Sequence, residues 1–216
     1  GIKLVENTCE GMEQLGQVIS GKSLASDIIR KSKNNCLIIN AILNPTISTL
    51  SWIKSIFIEK YRFLDYYHIL DDNGNIKYKV KYKYFCTKSR IIGLYNTNDE
   101  KIGHIDINNF KKKDEDIKEC FLFTNDKNII NLKKYKSSNN IYSRMEQGEI
   151  KVDYNKLNAY EFKLANKTIG KLYITRTKKS EKYLEKYVLE YENKENEIIG
   201  ILLSIAIDLL GNQKTI

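Results

Sequence analysis

The sequence predicts a mainly β protein: a closed or nearly closed antiparallel barrel of about 12 strands around one buried, apolar C-terminal helix. Three observations predict it. Segments that alternate apolar and polar residues recur along most of the chain, short turns rich in Asn, Asp and Gly join them in pairs, and a short, wholly apolar segment lies near the C-terminus. With 216 residues, the chain is long enough for a domain with its own core.

The clearest hairpin signal surrounds residues 71–75, which read Asp-Asp-Asn-Gly-Asn. Asn-Gly supplies the positive φ angles of a type I′ turn, so we expect that turn at Asn73-Gly74. After the turn, Ile76, Tyr78, Val80, Tyr82 and Tyr84 alternate with four lysines. This period of two places the apolar residues on one face of a strand and the lysines on the other.

The same pattern of strand, turn and strand recurs further along the chain. We expect hairpins from 90–95 with 101–107, from 121–124 with 129–132, and from 160–164 with 168–175, followed by a long strand over 183–192. The charged stretch 110–119 and the polar stretch 137–140 are predicted to be loops. No boundary is evident after residue 59, so 59–216 is predicted to be one barrel domain.

The C-terminal segment 198–210 is apolar on every side except at Ser204 and Asp208. Such a helix is either buried or inserted in a membrane. A helix of this length spans roughly 20 Å, whereas the hydrocarbon core of a bilayer is about 30 Å thick. We therefore expect burial inside the barrel. Asp208 would then need hydrogen-bond donors, and we expect it to tie the helix to backbone amides of the barrel.

These segments resemble the LURP-one-related family. The resemblance rests on the hairpins at 67–85 and 90–107, and on the final strand 187–193 followed by the helix 198–210. This family belongs to the tubby C-terminal-like superfamily, together with the phospholipid scramblases. The resemblance implies a closed barrel threaded by its terminal helix, and a binding protein rather than an enzyme. Residues 1–58 lie outside it, and residues 110–160 match it poorly.

Residues 1–58 are predicted to be a mostly helical extension that packs on the barrel. Two short amphipathic helices are expected within 10–33, followed by an apolar stretch at 36–43 that is too short to cross a bilayer. A second apolar patch comprises Leu50, Trp52, Ile53, Ile56, Phe57 and Ile58. This patch is interpreted as a packing helix or a first strand, with a helix lying on a membrane surface as the alternative.

The formal net charge of +9 favours anionic partners. The lysines of the predicted strand would lie about 6.6 Å apart on one face, which suits phosphates on a membrane surface. Tubby domains bind phosphoinositides, so the resemblance points the same way. The predicted site for an anionic headgroup is Lys77, Lys79, Lys81, Lys83, Lys88 and Arg90. The alternative is an outer face that merely keeps the barrel soluble.

Catalysis is not predicted, because the chain has none of the common hydrolase, nucleotide-binding or metalloprotease motifs. The four cysteines, Cys9, Cys36, Cys86 and Cys120, fit no zinc-site spacing, and the histidines are His68 and His104. We therefore expect no cofactor and no metal. Nucleic-acid binding is not expected, since the tyrosines of the lysine strand would face inward.

The expected partner is an acidic membrane surface or another phosphate-bearing ligand, with a protein bound through residues 1–58 as the alternative. Lipid scrambling is a weaker alternative, because the terminal helix is short and no cysteine cluster is present. The start of the chain, Gly1-Ile-Lys-Leu-Val-Glu, lacks the apolar stretch of a secretory signal. Unless a leader has been removed, we expect a cytoplasmic protein that is peripheral to a membrane.

Overall fold

The architecture comes from a computed structural model. It describes residues 25–43, 45, 47–83, 91–108, 117–125, 127–135, 141–145, 148–154, 159–175 and 182–211. The helices are α1 (Ala25–Lys31), α2 (Thr49–Phe57) and α3 (Glu197–Gly211), and 3₁₀ turns cover Glu59–Arg62 and Lys194–Asn196. The strands are β1 (Asn35–Ile42), β2 (Phe63–Leu70), β3 (Ile76–Lys83), β4 (Ile91–Tyr95), β5 (Lys101–Asn108), β6 (Ile117–Thr124), β7 (Lys127–Tyr135), β8 (Ile141–Met145), β9 (Gly148–Tyr154), β10 (Ala159–Leu164), β11 (Lys167–Ile174) and β12 (Tyr183–Tyr191).

Each strand pairs with its neighbours in sequence, and every pairing is antiparallel. The first strand, β1, pairs with both β12 and β2, so the ladder of hydrogen bonds returns to its start as a closed barrel. The predicted mainly β class, its antiparallel pairing and its C-terminal helix are confirmed.

Helix α3 is packed into the core cluster formed by the inward-facing side chains of the strands. Every residue from Gly200 to Leu210 is buried, as expected for a helix that is apolar except at Ser204 and Asp208. At Gly103 in β5, an added Cβ would lie 2.9 Å from the carbonyl oxygen of Phe123 and 3.3 Å from Leu202 Cδ1. Glycine at this position therefore allows the strand and the helix to approach closely. Within the described ranges, no helix is long and apolar enough to cross a membrane.

Strand β1 corrects the prediction of a helical extension over residues 1–58 that ends where the barrel begins. The apolar stretch at 36–43 forms most of β1, where Leu37 and Ile39 face inward and are fully buried. Its β-branched and apolar residues suit a strand that is covered on its inner face. Of the two helices expected within 10–33, α1 corresponds to the second, and the first lies outside the described residues.

The turn at 71–75 differs from the predicted type I′ turn. Only Gly74 has a positive φ there, at 83°, and the amide of Gly74 donates to the carbonyl of Asp71 at 3.0 Å. This geometry is a type I turn followed by one left-handed residue, a three-residue hairpin loop. The Asp71 side chain stabilises it by accepting bonds from the amides of Asn73 and Asn75.

The hairpin between β4 and β5 repeats this turn. The Asn96 side chain accepts bonds from the amides of Asn98 and Glu100, and Asp99 takes the left-handed position with a φ of 62°. Both loops use a side chain at their first position to satisfy amides that the ladder leaves unpaired.

Candidate functional site

The lysine stripe, defined as Lys77, Lys79, Lys81 and Lys83, lies along β3 as predicted. Each of these lysines is placed against an acidic side chain from another element. The pairs are Lys77 with Glu197 at 2.7 Å, Lys79 with Asp65 at 3.9 Å, Lys81 with Asp99 at 2.6 Å and Lys83 with Glu59 at 2.7 Å. Lys88 and Arg90, the other two predicted site residues, lie outside the described residues.

A phosphate on the stripe would have to compete with a carboxylate at each lysine. Ion pairs near the surface are worth only about 0–1 kcal/mol, so the phosphate site stays a prediction. The side chains of Lys81 and Lys83 are also partly covered, at 17% and 31% exposure. The acidic partners could not be foreseen from the strand pattern, because Glu59 and Glu197 lie 24 and 120 residues from their lysines.

Lys77 departs from the stripe because β3 has an irregularity there. Ile69 pairs with Tyr78, whereas Leu70 pairs with Ile76, which leaves Lys77 as an extra residue. A β-bulge of this kind redirects a side chain. As a result, Lys77 and Tyr78 both reach Glu197 at the start of α3.

The Glu197 clamp consists of Glu197, Tyr78, Tyr191 and Lys77. Both tyrosine hydroxyls and the lysine ammonium donate to the carboxylate. Burial by itself would raise the pKa of Glu197, but the bonds from Lys77, Tyr191 and Tyr78 outweigh it and lower the pKa below its usual range. Burial and the carboxylate raise the pKa of both tyrosines, so they remain hydroxyl donors.

The Asp208 clamp holds the other end of α3 with the same set of groups. Tyr67 and Tyr187 donate their hydroxyls to Asp208, and Lys186 Nζ lies 3.0 Å and 3.1 Å from its two carboxylate oxygens. Asp208 therefore ties the helix to the barrel through these side chains, whereas the donors expected from the sequence were backbone amides. Burial and the neighbouring carboxylate raise the pKa of Tyr67.

A second bulge builds the Asp208 clamp. Ile39 pairs with Tyr187 and Asn40 pairs with Glu185, so Lys186 is the extra residue of β12. Lys186 and Tyr187 thus both face the helix, as Lys77 and Tyr78 do at the other end. Each clamp combines a Lys-Tyr pair at a bulge with one tyrosine from another strand. These buried groups bind the protein's own helix, so they are not available to a ligand.

The outer wall carries a hydrogen-bonded chain of Asp65, His68 and Tyr183. Asp65 Oδ2 lies 2.8 Å from His68 Nε2, and the Tyr183 hydroxyl lies 2.9 Å from His68 Nδ1. The ring of His68 therefore bridges the Asp65 carboxylate and the Tyr183 hydroxyl, and its tautomer sets which nitrogen donates. His68 is 4% exposed, so a substrate could not reach the ring. We interpret this chain as a link that holds β2 to β12 across β1.

The described cysteines are buried or half-buried free thiols. Burial raises the pKa of Cys120 to about 12 and also raises that of Cys36. Both are therefore poor nucleophiles at neutral pH. In the described part of the chain, no group of three or more His, Cys, Asp and Glu side chains could hold a metal ion. Cys9 and Cys86 lie outside it.

The most unusual surface of the molecule is on and just after α2. The α2 surface consists of six exposed apolar residues: Leu50 (62% exposed), Trp52 (46%), Ile53 (46%), Ile56 (51%), Phe57 (81%) and Ile58 (46%). The one buried residue of α2 is a polar one, Ser55. The expected orientation, with the apolar side packed on the barrel, is therefore wrong. A contiguous apolar surface of this kind marks a site of interaction with a protein or a membrane.

Local contacts hold α2 in this orientation. The Ser48 side chain accepts a bond from the Ser51 amide at 3.1 Å, which caps the start of the helix. At its other end, Arg62 Nε donates to the Ser55 carbonyl at 2.7 Å. Ser55 itself donates to the Trp52 carbonyl at 2.5 Å. Polar contacts therefore satisfy the inner side of the helix and leave the apolar residues facing outward.

The exposed apolar residues gather at one end of the barrel. We call this the α2 end, where β1 finishes at Ile42 and β2 begins at Phe63. Ile91 also belongs to it, because Ile92 pairs with Tyr82 and Phe63 pairs with Lys83. Of the eight large apolar side chains exposed in the described part, seven are the α2 surface and Ile91. The eighth, Ile76, lies at the opposite end of β3.

Comparisons with known proteins add no relative. No family model matches the chain, and neither a curated protein nor a solved structure matches it.

Proposed function

We propose that this protein is a non-enzymatic binding module that binds anionic lipid headgroups at a membrane surface, with the α2 surface as its contact. The observation that carries the proposal is the outward-facing apolar side of α2. An amphipathic helix with aromatic residues on its apolar side and nearby basic groups is typical of interfacial membrane binding. The net charge of +9 provides the attraction to acidic lipid.

We also propose that the barrel is of the tubby-like and LURP-one-related type. The number of strands, their consecutive pairing and the buried C-terminal helix support this assignment. The two clamps weigh against lipid scrambling by insertion of α3, because withdrawing the helix would leave four tyrosines and two lysines without their carboxylates. The lysine stripe does not carry the proposal, since acids already pair with it.

Co-sedimentation with vesicles tests the proposal. We expect the protein to pellet with vesicles of phosphatidylcholine and phosphatidylserine, and much less with phosphatidylcholine alone. Added salt should weaken the binding. The double variant Leu50→Ser/Phe57→Ser should bind at least tenfold more weakly, because each large apolar side chain buried contributes about 1.5–3 kcal/mol.

The matched control is Ile76→Ser, which removes an exposed isoleucine from the opposite end and should bind like the wild type. Soluble glycerophosphoserine should compete poorly, because it offers a headgroup without an apolar phase. Equal and negligible sedimentation with both kinds of vesicle would refute membrane binding.

A protein contact through the same surface is the second candidate. The tryptophan and phenylalanine of the α2 surface favour it, because aromatic residues are enriched at the centres of protein interfaces. If the protein partner is a second copy of this chain, sedimentation velocity separates the two candidates, because it measures self-association. Self-association that the Leu50→Ser/Phe57→Ser variant abolishes, together with no vesicle binding, would favour this candidate.

A further inference from the structure

Charge is distributed unevenly along the barrel axis. Three segments of the opposite end, 71–75, 96–100 and 192–196, carry six acidic residues and one basic residue, Lys194. The acidic residues are Asp71, Asp72, Asp99, Glu100, Glu192 and Glu195. Asp99 is paired with Lys81, and four of the other five are exposed. The same end also carries four exposed lysines, Lys33, Lys101, Lys127 and Lys167, so its charge is mixed and close to balanced.

The α2 end has a positive balance. Its segment 48–62 contains Lys54, Lys60 and Arg62 against the single acid Glu59, which is already paired with Lys83. Lys182 is exposed beside it, and its carbonyl accepts a bond from the Leu43 amide at 2.8 Å. The exposed apolar residues and the positive charge thus occur at the same end.

We propose that the barrel docks on acidic membranes end-on, with the α2 end inserted at the headgroup level and the opposite end held away from the lipid. This inference rests on the proposed function and adds an orientation to it. An acidic surface attracts the basic end more strongly than the end of mixed charge, so electrostatics favours this orientation before contact. Burial of the α2 surface then fixes the orientation.

End-on docking also determines where helix α3 and the lysine stripe lie relative to the membrane. Helix α3 runs from the Glu197 clamp to the Asp208 clamp, and Tyr67 of the Asp208 clamp comes four residues after Phe63, where β2 begins. Its C-terminal end therefore points toward the membrane. The lysine stripe runs along the barrel wall, with Lys83 nearest to the lipid and Lys77 farthest from it.

Tryptophan fluorescence can test the orientation directly, because Trp52 is the only tryptophan in the chain. On binding acidic vesicles, its emission should shift to shorter wavelength, and phospholipids brominated in their acyl chains should quench it. The double variant Trp52→Phe/Ile76→Trp moves the only tryptophan to the opposite end. It should still sediment with acidic vesicles, more weakly because Trp52 belongs to the contact, and its bound form should show neither the shift nor the quenching.

Each other outcome overturns the inference in a distinct way. Quenching at both positions would mean that bound molecules have no preferred orientation, and quenching only at position 76 would mean the reverse one. Binding without quenching at either position would place the contact on the barrel wall. If neither protein binds vesicles, the proposed function fails together with the orientation. Circular dichroism of both proteins should coincide, because both changed residues are exposed.

Discussion

The two carboxylates of α3 show how single residues hold an apolar helix in a fixed position. A helix that is apolar on all sides has only steric fit to fix its register within an apolar barrel. The clamps add to this fit, because each carboxylate has hydroxyl and ammonium donors only in one register. The sequence drew attention to Asp208 as a buried anion that needs donors, but the identity of the donors depends on the bulges at Lys77 and Lys186.

We expect Asp208→Asn to lower the free energy of unfolding by about 3 kcal/mol, because it leaves the Lys186 ammonium without its counter-ion in a mostly buried position. Urea unfolding monitored by circular dichroism measures the change. The control is Asp27→Asn, whose pair with Arg30 is exposed on both sides, at 43% and 73%, and should cost less than about 1 kcal/mol. Equal losses in both variants would contradict a special role for the Asp208 clamp.

The Glu197 clamp makes stability depend on pH. Its bonds lower the pKa of Glu197 below the ordinary value of 4.5, so the unfolded chain takes up a proton at higher pH than the folded one. The stabilisation is therefore complete above pH 4.5 and is lost as the pH falls through the lower folded value.

In Glu197→Gln, unfolding by urea should show a smaller loss of stability below pH 4.5 than the wild type shows. Glu195→Gln changes a neighbouring exposed carboxylate and is the matched control, expected to follow the wild type. A Glu197→Gln profile parallel to that of the wild type would mean that the clamp does not link proton uptake to folding.

At the scale of elements, the strands with clear alternation and polar turns were predictable, and those without them were not. The hairpins β2–β3, β4–β5 and β10–β11 have both signals. Strands β8 and β9 were missed, because their segment 141–154 mixes charged and apolar residues without a strict period. The clamp residues were missed for a related reason. A bulge interrupts the period of two, so a strictly alternating pattern places Lys77 on the outer face, away from Glu197.

For helix α2, what the sequence could not predict is the orientation of the helix on the barrel. Its sequence favoured a packing helix or a first strand, with a helix on a membrane surface as the alternative, and the structure makes it a helix. The apolar residues were expected to pack on the barrel, and instead Ser55 faces inward, where polar contacts to Trp52 and Arg62 hold it. The candidate site could therefore be located from the sequence as a patch, whereas its exposure required the structure.

At the scale of the whole molecule, the barrel is complete only because the chain before residue 59 contributes a strand. Without β1, strands β12 and β2 would both be edges with unpaired amides and carbonyls. Polar and turn-forming residues flank β1, at 32–34 and at Asn44-Pro45, but a helix separates β1 from β2 and its other partner β12 lies far along the chain, so local patterns could not reveal either pairing. Closure of the barrel therefore joins strands that lie far apart in the sequence.

Closure makes a specific prediction about stability. Ile39 in β1 is fully buried in the common core, so Ile39→Ala should lower the free energy of unfolding by about 2–5 kcal/mol. Ile53→Ala, which makes the same change on the exposed α2 surface, should have an effect within about 0.5 kcal/mol. Urea unfolding followed by circular dichroism compares the two. Because β1 completes the ring, we expect one cooperative transition in the Ile39→Ala variant, shifted to lower urea. If both variants unfold at the same urea concentration, β1 does not contribute to the stability of the barrel. Residues before 59 would then be an extension that the fold does not need.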